Sequence, residues 1–195
     1  MQILHPFLGS VQQYLEQLSD WETPRPPHCP LCESKQPMTA HGFYVRTLIH
    51  LNFDDQIRVR RYLCEVCCRT VSLLPHFALP YLRSSLTVIA LWLLTRLLPE
   101  SVGQQPPPMP YQRGQFWLRR FLAQAQALCV ALAHLAAPPV APTFAGRAAA
   151  MLESVGWQKA HRFLFSDLRA HLLGWPRSLA PDGRRLTLRP AAAPA

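Results

Sequence analysis

Two Cys-x-x-Cys pairs, Cys29-Pro-Leu-Cys32 and Cys64-Glu-Val-Cys67, are the residues of this chain best suited to chemistry. In a turn of that spacing two thiolates point at one centre while backbone N–H groups stabilise their charge. Two such turns supply the four sulfurs of a closed tetrahedral Zn²⁺ site. Four cysteines leave no position open for water, so such a site holds structure and activates nothing. A thioredoxin-like redox pair needs one such turn in a βαβ setting; this chain has two turns and no βαβ pattern. A disulfide framework belongs to an oxidising compartment, and the first residues lack the basic stretch, apolar core and small-residue cleavage site of a secretory signal. The spacing therefore predicts a zinc ribbon with Cys29, Cys32, Cys64 and Cys67 as ligands. Cys68 is either a spare thiol or a competitor for the fourth position. Cys129, in an apolar helical run, reads as a buried core thiol.

The segment between the two pairs has the period of a β-hairpin. Phe43, Val45, Thr47 and Ile49 alternate with Tyr44, Arg46, Leu48 and His50, and Asn52-Phe-Asp-Asp55 supplies turn residues. Ile57, Val59, Arg61 and Leu63 then alternate with Arg58, Arg60 and Tyr62. With Ile57 and Val59 inward, Arg58, Arg60 and Tyr62 share the outer face, and Tyr44 and Arg46 join them from the first strand. That mixture suits a phosphate backbone with an aromatic ring against sugar or base. It equally describes a solvated strand face whose arginines keep an edge from aggregating. Arg61 interrupts the inward face. Arg69-Thr-Val-Ser-Leu-Leu74 reads as a third strand ended by Pro75.

Charge is unevenly distributed along the chain. The net charge is +9. Residues 1–68 carry six cations against seven anions, whereas residues 69–195 carry fourteen against four. All but two of the twenty cations are arginine, which forms bidentate contacts with phosphates and guanine edges. A polyanion is the implied partner. A basic, arginine-rich proteome would leave the same trace.

The remaining elements follow from period and punctuation. Residues 1–23 predict one short amphipathic helix with Val11, Tyr14, Leu15 and Leu18 on one face, followed by the extended linker Thr23-Pro-Arg-Pro-Pro27. A core helix is predicted from Arg83 or Ser84 to Leu98, capped by Ser84 or Ser85 and stopped by Pro99. Its apolar run of thirteen residues contains Arg96 and falls short of the roughly 20 residues that span a bilayer. Residues 100–112 are turn-rich. Helices are predicted over 115–135 and 145–173, the second loosened at Gly156, and a disordered tail from Arg177. The fold class expected is α+β: a small three-stranded zinc ribbon followed by an all-α helical region. The domain division is 1–26 (helix and linker), 27–80 (ribbon), 81–136 (helical), 143–176 (C-terminal helices) and 177–195 (tail).

Cys29-Pro-Leu-Cys32, His41-Gly-Phe-Tyr-Val-Arg46 and Arg61-Tyr-Leu-Cys-Glu-Val-Cys-Cys-Arg-Thr-Val-Ser72 together resemble the N-terminal zinc ribbon of insertion-sequence transposases. The continuation Leu73-Leu-Pro-His-Phe-Ala-Leu-Pro-Tyr81 is similar to uncharacterised bacterial proteins that carry such a ribbon followed by a helix-turn-helix. The resemblance covers residues 27–122 and implies DNA binding. It makes Tyr111-Gln-Arg-Gly-Gln-Phe-Trp-Leu-Arg-Arg-Phe121 the counterpart of a recognition helix. The chain departs from that pattern at Pro106, Pro107, Pro108 and Pro110, where the preceding helix of the motif should lie.

A DDE-type transposase needs three carboxylates around two divalent metals. After the ribbon only Glu100, Glu153, Asp167 and Asp182 are available, with no strand pattern to carry a ribonuclease-H-like sheet. Neither a Gly-x-Ser-x-Gly turn nor a phosphate-cradling glycine loop occurs. The sequence thus points to a non-enzymatic, cytoplasmic DNA-binding protein using Arg46, Arg58, Arg60, Arg113, Arg119 and Arg120. It implies no membrane and no small-molecule substrate. A zinc-stapled adaptor for protein partners is the alternative, motivated by the aromatic and leucine-rich helical half.

Overall fold

The computed structural model describes residues 1–7, 9–17, 25–98, 100, 103 and 105–174. The predicted tail from Arg177, the end of the predicted N-terminal helix at 18–22 and the first two linker residues, Thr23 and Pro24, lie outside these. The elements run β1 (Gln2–His5), α1 (Val11–Gln17), β2 (Thr39–His50), β3 (Phe53–Cys64), β4 (Arg69–Pro75), α2 (Leu86–Leu97), α3 (Tyr111–Leu132), α4 (Phe144–Val155) and α5 (Trp157–Arg162). A π-helical turn, Phe163–Asp167, continues α5. Among the described residues no helix is long and apolar enough to cross a membrane.

The sheet has four strands, ordered β1-β4-β3-β2, where the sequence predicts three. The extra strand is β1, which was expected to be helical and instead pairs parallel to β4, Gln2 with Ser72 and Leu4 with Leu74. Four residues carry too short a period to announce themselves; only the distant β4 edge gives them a ladder. The helix that follows is correspondingly shorter than expected, and Leu18 lies outside the described residues.

β2 and β3 form one long antiparallel hairpin whose two-residue turn is Leu51–Asn52. That turn pairs odd positions of β2 with even positions of β3: Phe43 with Arg60, Val45 with Arg58, Thr47 with Gln56. Paired residues share a face, so Tyr44 and Arg46 lie with Val59 and Ile57, opposite Arg58 and Arg60. This corrects the expectation that they join the outer face. A bulge between Ala40 and Phe43 then shifts the register. It contains Gly42 at φ 73°, a conformation that suits glycine.

The two faces bury different things. On one, Leu48, Ile57, Val59 and Leu74 pack beneath α1 with Phe7, Val11, Tyr14 and Phe77. On the other, at the cysteine end, Tyr62, Cys64, Val71 and Leu73 pack with Cys29 and Met38. β3 therefore changes its buried side along its length, and Arg61 falls where the first core has ended. It faces Ser72, itself paired with Gln2. Tyr62, expected outside, is only 2% exposed.

A third core joins α2, α3, α4 and the segment beyond α5. Ser85 caps α2, its Oγ accepting from the Val88 N–H at 3.3 Å. Ile49 ties the sheet edge to the approach of α2, its N–H donating to the Arg83 carbonyl and its own carbonyl accepting from Ser85. Gly156, at φ 88°, breaks the predicted 145–173 helix into α4 and α5. α3 begins earlier than expected, at Tyr111, and Gly114 in its first turn lies flat against Trp92.

A Cβ at position 114 would come within 2.2 Å of the Trp92 ring. Gly114→Ala is therefore expected to lower stability by about 1–3 kcal/mol through overpacking, read from denaturant unfolding. His161 gives a second test. It is fully buried beside Phe165, and among the described residues neither ring nitrogen makes a hydrogen bond of ordinary geometry, the Ala78 backbone being the polar group that acts on it. Burial first, then His171 and His76, push its pKa down to about 4; the Ala78 backbone works the other way. An unfolded chain takes this proton near pH 6.5, so stability present above that value is lost as pH falls toward 4. The loss is on the order of 3 kcal/mol. His161→Leu should flatten the melting temperature over this window relative to the parent chain.

Candidate metal centre and cationic surfaces

The turn Cys29–Cys32 enters from the linker and the turn Cys64–Cys67 joins β3 to β4. The two meet because the long hairpin returns the chain to its starting level. All four Sγ atoms lie within 4.8 Å of one another. Cys29 and Cys67 are 3.8 Å apart and Cys32 and Cys64 are 3.6 Å apart. A tetrahedron built on metal–sulfur bonds of about 2.3 Å has edges of about 3.8 Å. The four thiols fit a single metal ion.

Their electrostatics suit one. At Cys29 burial works upward, but N–H groups of Cys32 and Leu31 and the neighbouring thiols prevail and bring the pKa down to about 7. Cys67 is pushed up to about 12, first by burial and then by the other three thiols outweighing the Arg69 N–H. At Cys32 the Ser34 N–H pulls down, yet burial and Cys64 leave the thiol raised. Four like charges at these separations repel, and a divalent cation is what allows all four to ionise. Cys68 is set apart. Its backbone is left-handed (φ 53°), and its exposed Sγ points to the Glu65 carbonyl at 3.7 Å. Cys129 is buried as expected, its Sγ 3.4 Å from the Phe144 carbonyl.

The six arginines singled out from sequence divide into three groups. Arg58 and Arg60 stand on the outer face of the hairpin, their guanidiniums 4.3 Å and 4.7 Å from the centre of the Phe43 ring. Arg60 also lies 5.4 Å from the Tyr62 ring. Arg113 and Arg119 belong to the surface of α3, with Arg119 exposed. Arg46 and Arg120 do other work. Arg46 donates to the carbonyls of Leu79 and Leu82, fastening the connector before α2 to the sheet. Arg120 lies over Phe116 and donates to the Leu173 carbonyl at 3.0 Å, holding the C-terminal segment on α3. Their types and spacing in the sequence resemble those of surface cations; the carbonyls that claim them come from distant residues.

Among the described residues α2 and α3 are not joined by the short turn of a helix-turn-helix. The motif uses a turn of about three or four residues, whereas residues 98–110 intervene here and 105–110 have no regular structure. Of the carboxylates considered for catalysis, Glu153 accepts from the Trp157 indole N–H at 2.9 Å and Asp167 is exposed on the π-helical turn. Asp182 lies outside the described residues. Among the described residues the four cysteines are the only group of three or more potential ligands close enough to share a metal.

A family model described as a domain of unknown function (DUF6431) matches residues 29–104. That span takes in both cysteine turns, the hairpin, β4 and α2. No curated protein and no solved structure matches the chain.

Replacing Cys29 or Cys64 by Ser leaves three thiolates, too few to retain the ion, and is expected to unfold the cysteine end. Thermal melts with and without a chelator check this: chelator should lower the midpoint of the parent chain and leave the Cys29→Ser midpoint unmoved. Cys68→Ser should behave as the parent does in both conditions.

Proposed function

We propose that this chain is a non-catalytic DNA-binding protein whose cationic sheet is held rigid by structural zinc, related to the transposase-like zinc-ribbon proteins its sequence resembles. The observation that carries the reading is the outer face of the hairpin. There Arg58 and Arg60 lie over Phe43 and are paired with no carboxylate among the described residues. An arginine held by an aromatic ring keeps its N–H groups free for an acceptor and loses less freedom on binding. The net charge of +9 supplies the long-range attraction for a polyanion.

Zinc is the ion these ligands suit best, since four thiolates in a tetrahedron satisfy its preferences and leave no reactive position. When bound it supplies charge balance and cross-linking, without activating water. The chain's own residues set the rest: the two turns orient the sulfurs, and β2, β3 and β4 carry that rigidity into the arginine face.

A protein-adaptor role is the second reading. Its support is the exposed apolar surface formed by Leu122 and Val130 on α3 and by Phe144 at the start of α4, each about half accessible.

Fluorescence anisotropy with labelled duplex DNA tests the choice. The expected result is tight binding at low salt that weakens steeply as salt is added, because phosphate neutralisation releases counterions. The double change Arg58→Glu, Arg60→Glu should weaken it by more than tenfold while zinc content, measured by elemental analysis, stays at one ion per chain. Absence of binding at low salt, with a stoichiometric protein co-purifying instead, would favour the adaptor.

A further inference from the structure

From Arg60 to the turn, β3 pairs with β2 alone, because its pairing to β4 ends at Arg61. This part of the sheet is a two-stranded ribbon. One side is closed by the core beneath α1, where Leu48, Ile57 and Val59 are wholly buried. The other side presents three cross-strand pairs to solvent: Phe43 with Arg60, Val45 with Arg58, and Thr47 with Gln56. Val45 is 55% exposed, and Gln56 and Arg58 are exposed beside it. Asp54, one pair nearer the turn, ends the cationic surface.

We propose that this ribbon, and not α3, enters the major groove of duplex DNA and selects sequence there. The assignment rests on the DNA-binding reading above and adds which element touches the bases. The major groove is about 12 Å wide and admits a two-stranded ribbon, whose strands lie about 4.8 Å apart. Gln56, Arg58 and Arg60 are alternate residues, so their Cα atoms step by about 6.8 Å, close to two base-pair rises of 3.4 Å. Each has the donor pattern that base edges distinguish: arginine forks onto the two acceptors of guanine, and glutamine pairs with the donor and acceptor of adenine. Val45 and Thr47 provide apolar contact for thymine methyl groups. Phe43 holds two guanidiniums close over one ring, where a phosphate contact would need only flexible side chains at the rim. α3 is less suited to the groove. Gly114 and Trp117 in its first turns are buried against Trp92, and Arg120 is bound to the Leu173 carbonyl.

The site chosen from a randomised duplex library by the zinc-loaded full chain tests this. The expected site has two guanines two base pairs apart with an adenine two further on. Anisotropy titrations on single-base variants of that site should then show Arg58→Ala and Arg60→Ala each losing about tenfold discrimination at one guanine, with the salt dependence nearly unchanged. Gln56→Ala should do so at the adenine, and Arg119→Ala at no position. Duplex binding without any selected sequence, or uniform weakening with a shallower salt slope in the arginine variants, would mean phosphate contact and overturn the assignment while leaving DNA binding intact. Tighter binding to the single strand than to the duplex would overturn it too. Loss of all DNA binding in the parent chain would sink the underlying functional reading as well.

Discussion

The geometry of this protein depends on four sulfurs that repel one another when ionised. Cys29 has a thiol drawn down toward neutrality, whereas burial and neighbouring sulfur push Cys67 far above it. Such a set is stable only with a cation at its centre or with most of its protons kept. Their spacing of 3.6–3.8 Å across the two turns already matches a tetrahedron of metal–thiolate bonds. The cluster around them is small: Cys29, Met38, Tyr62, Cys64, Val71 and Leu73. In modules with so small a core, metal binding is folding energy.

The cluster lies at one end of a sheet with opposite duties on its two sides. The α1 side is a conventional apolar core. On the outer side the core lies only at the cysteine end; toward the turn the same strand carries Arg58 and Arg60. The change of buried face between Val59 and Tyr62 lets one strand serve both. Arg46 then fastens the connector at Leu79 and Leu82, and Ile49 pairs with Arg83 and Ser85, so the sheet edge near α2 is closed. Among the described residues the stretch of β2 that pairs with Arg58 and Arg60 has no strand on its other side.

The helical half is held by close contact more than by charge. Gly114 lets α3 lie directly on Trp92, and the Trp92 and Trp117 rings meet edge to face at 6.0 Å. His161, buried and neutral, sits near both His76 of the sheet side and His171 of the C-terminal segment, coupling this half to proton concentration.

The cysteine turns, the hairpin, the capped helix after Ser85 and the break at Gly156 were legible in the sequence. Each is signalled by residues close together in the chain: ligand spacing, a period of two, a cap, a glycine. β1 was not, because four residues become a strand only when a distant edge accepts them. The sides taken by Tyr44, Arg46 and Tyr62 were not legible either. A two-residue turn sets which positions oppose each other, and a change of one residue there exchanges the faces. Arg46 and Arg120 have the composition of surface cations, but carbonyls far along the chain had already claimed them. Local chemistry can be read from neighbours in sequence; which charges remain free for a partner is decided only when the chain has folded back on itself.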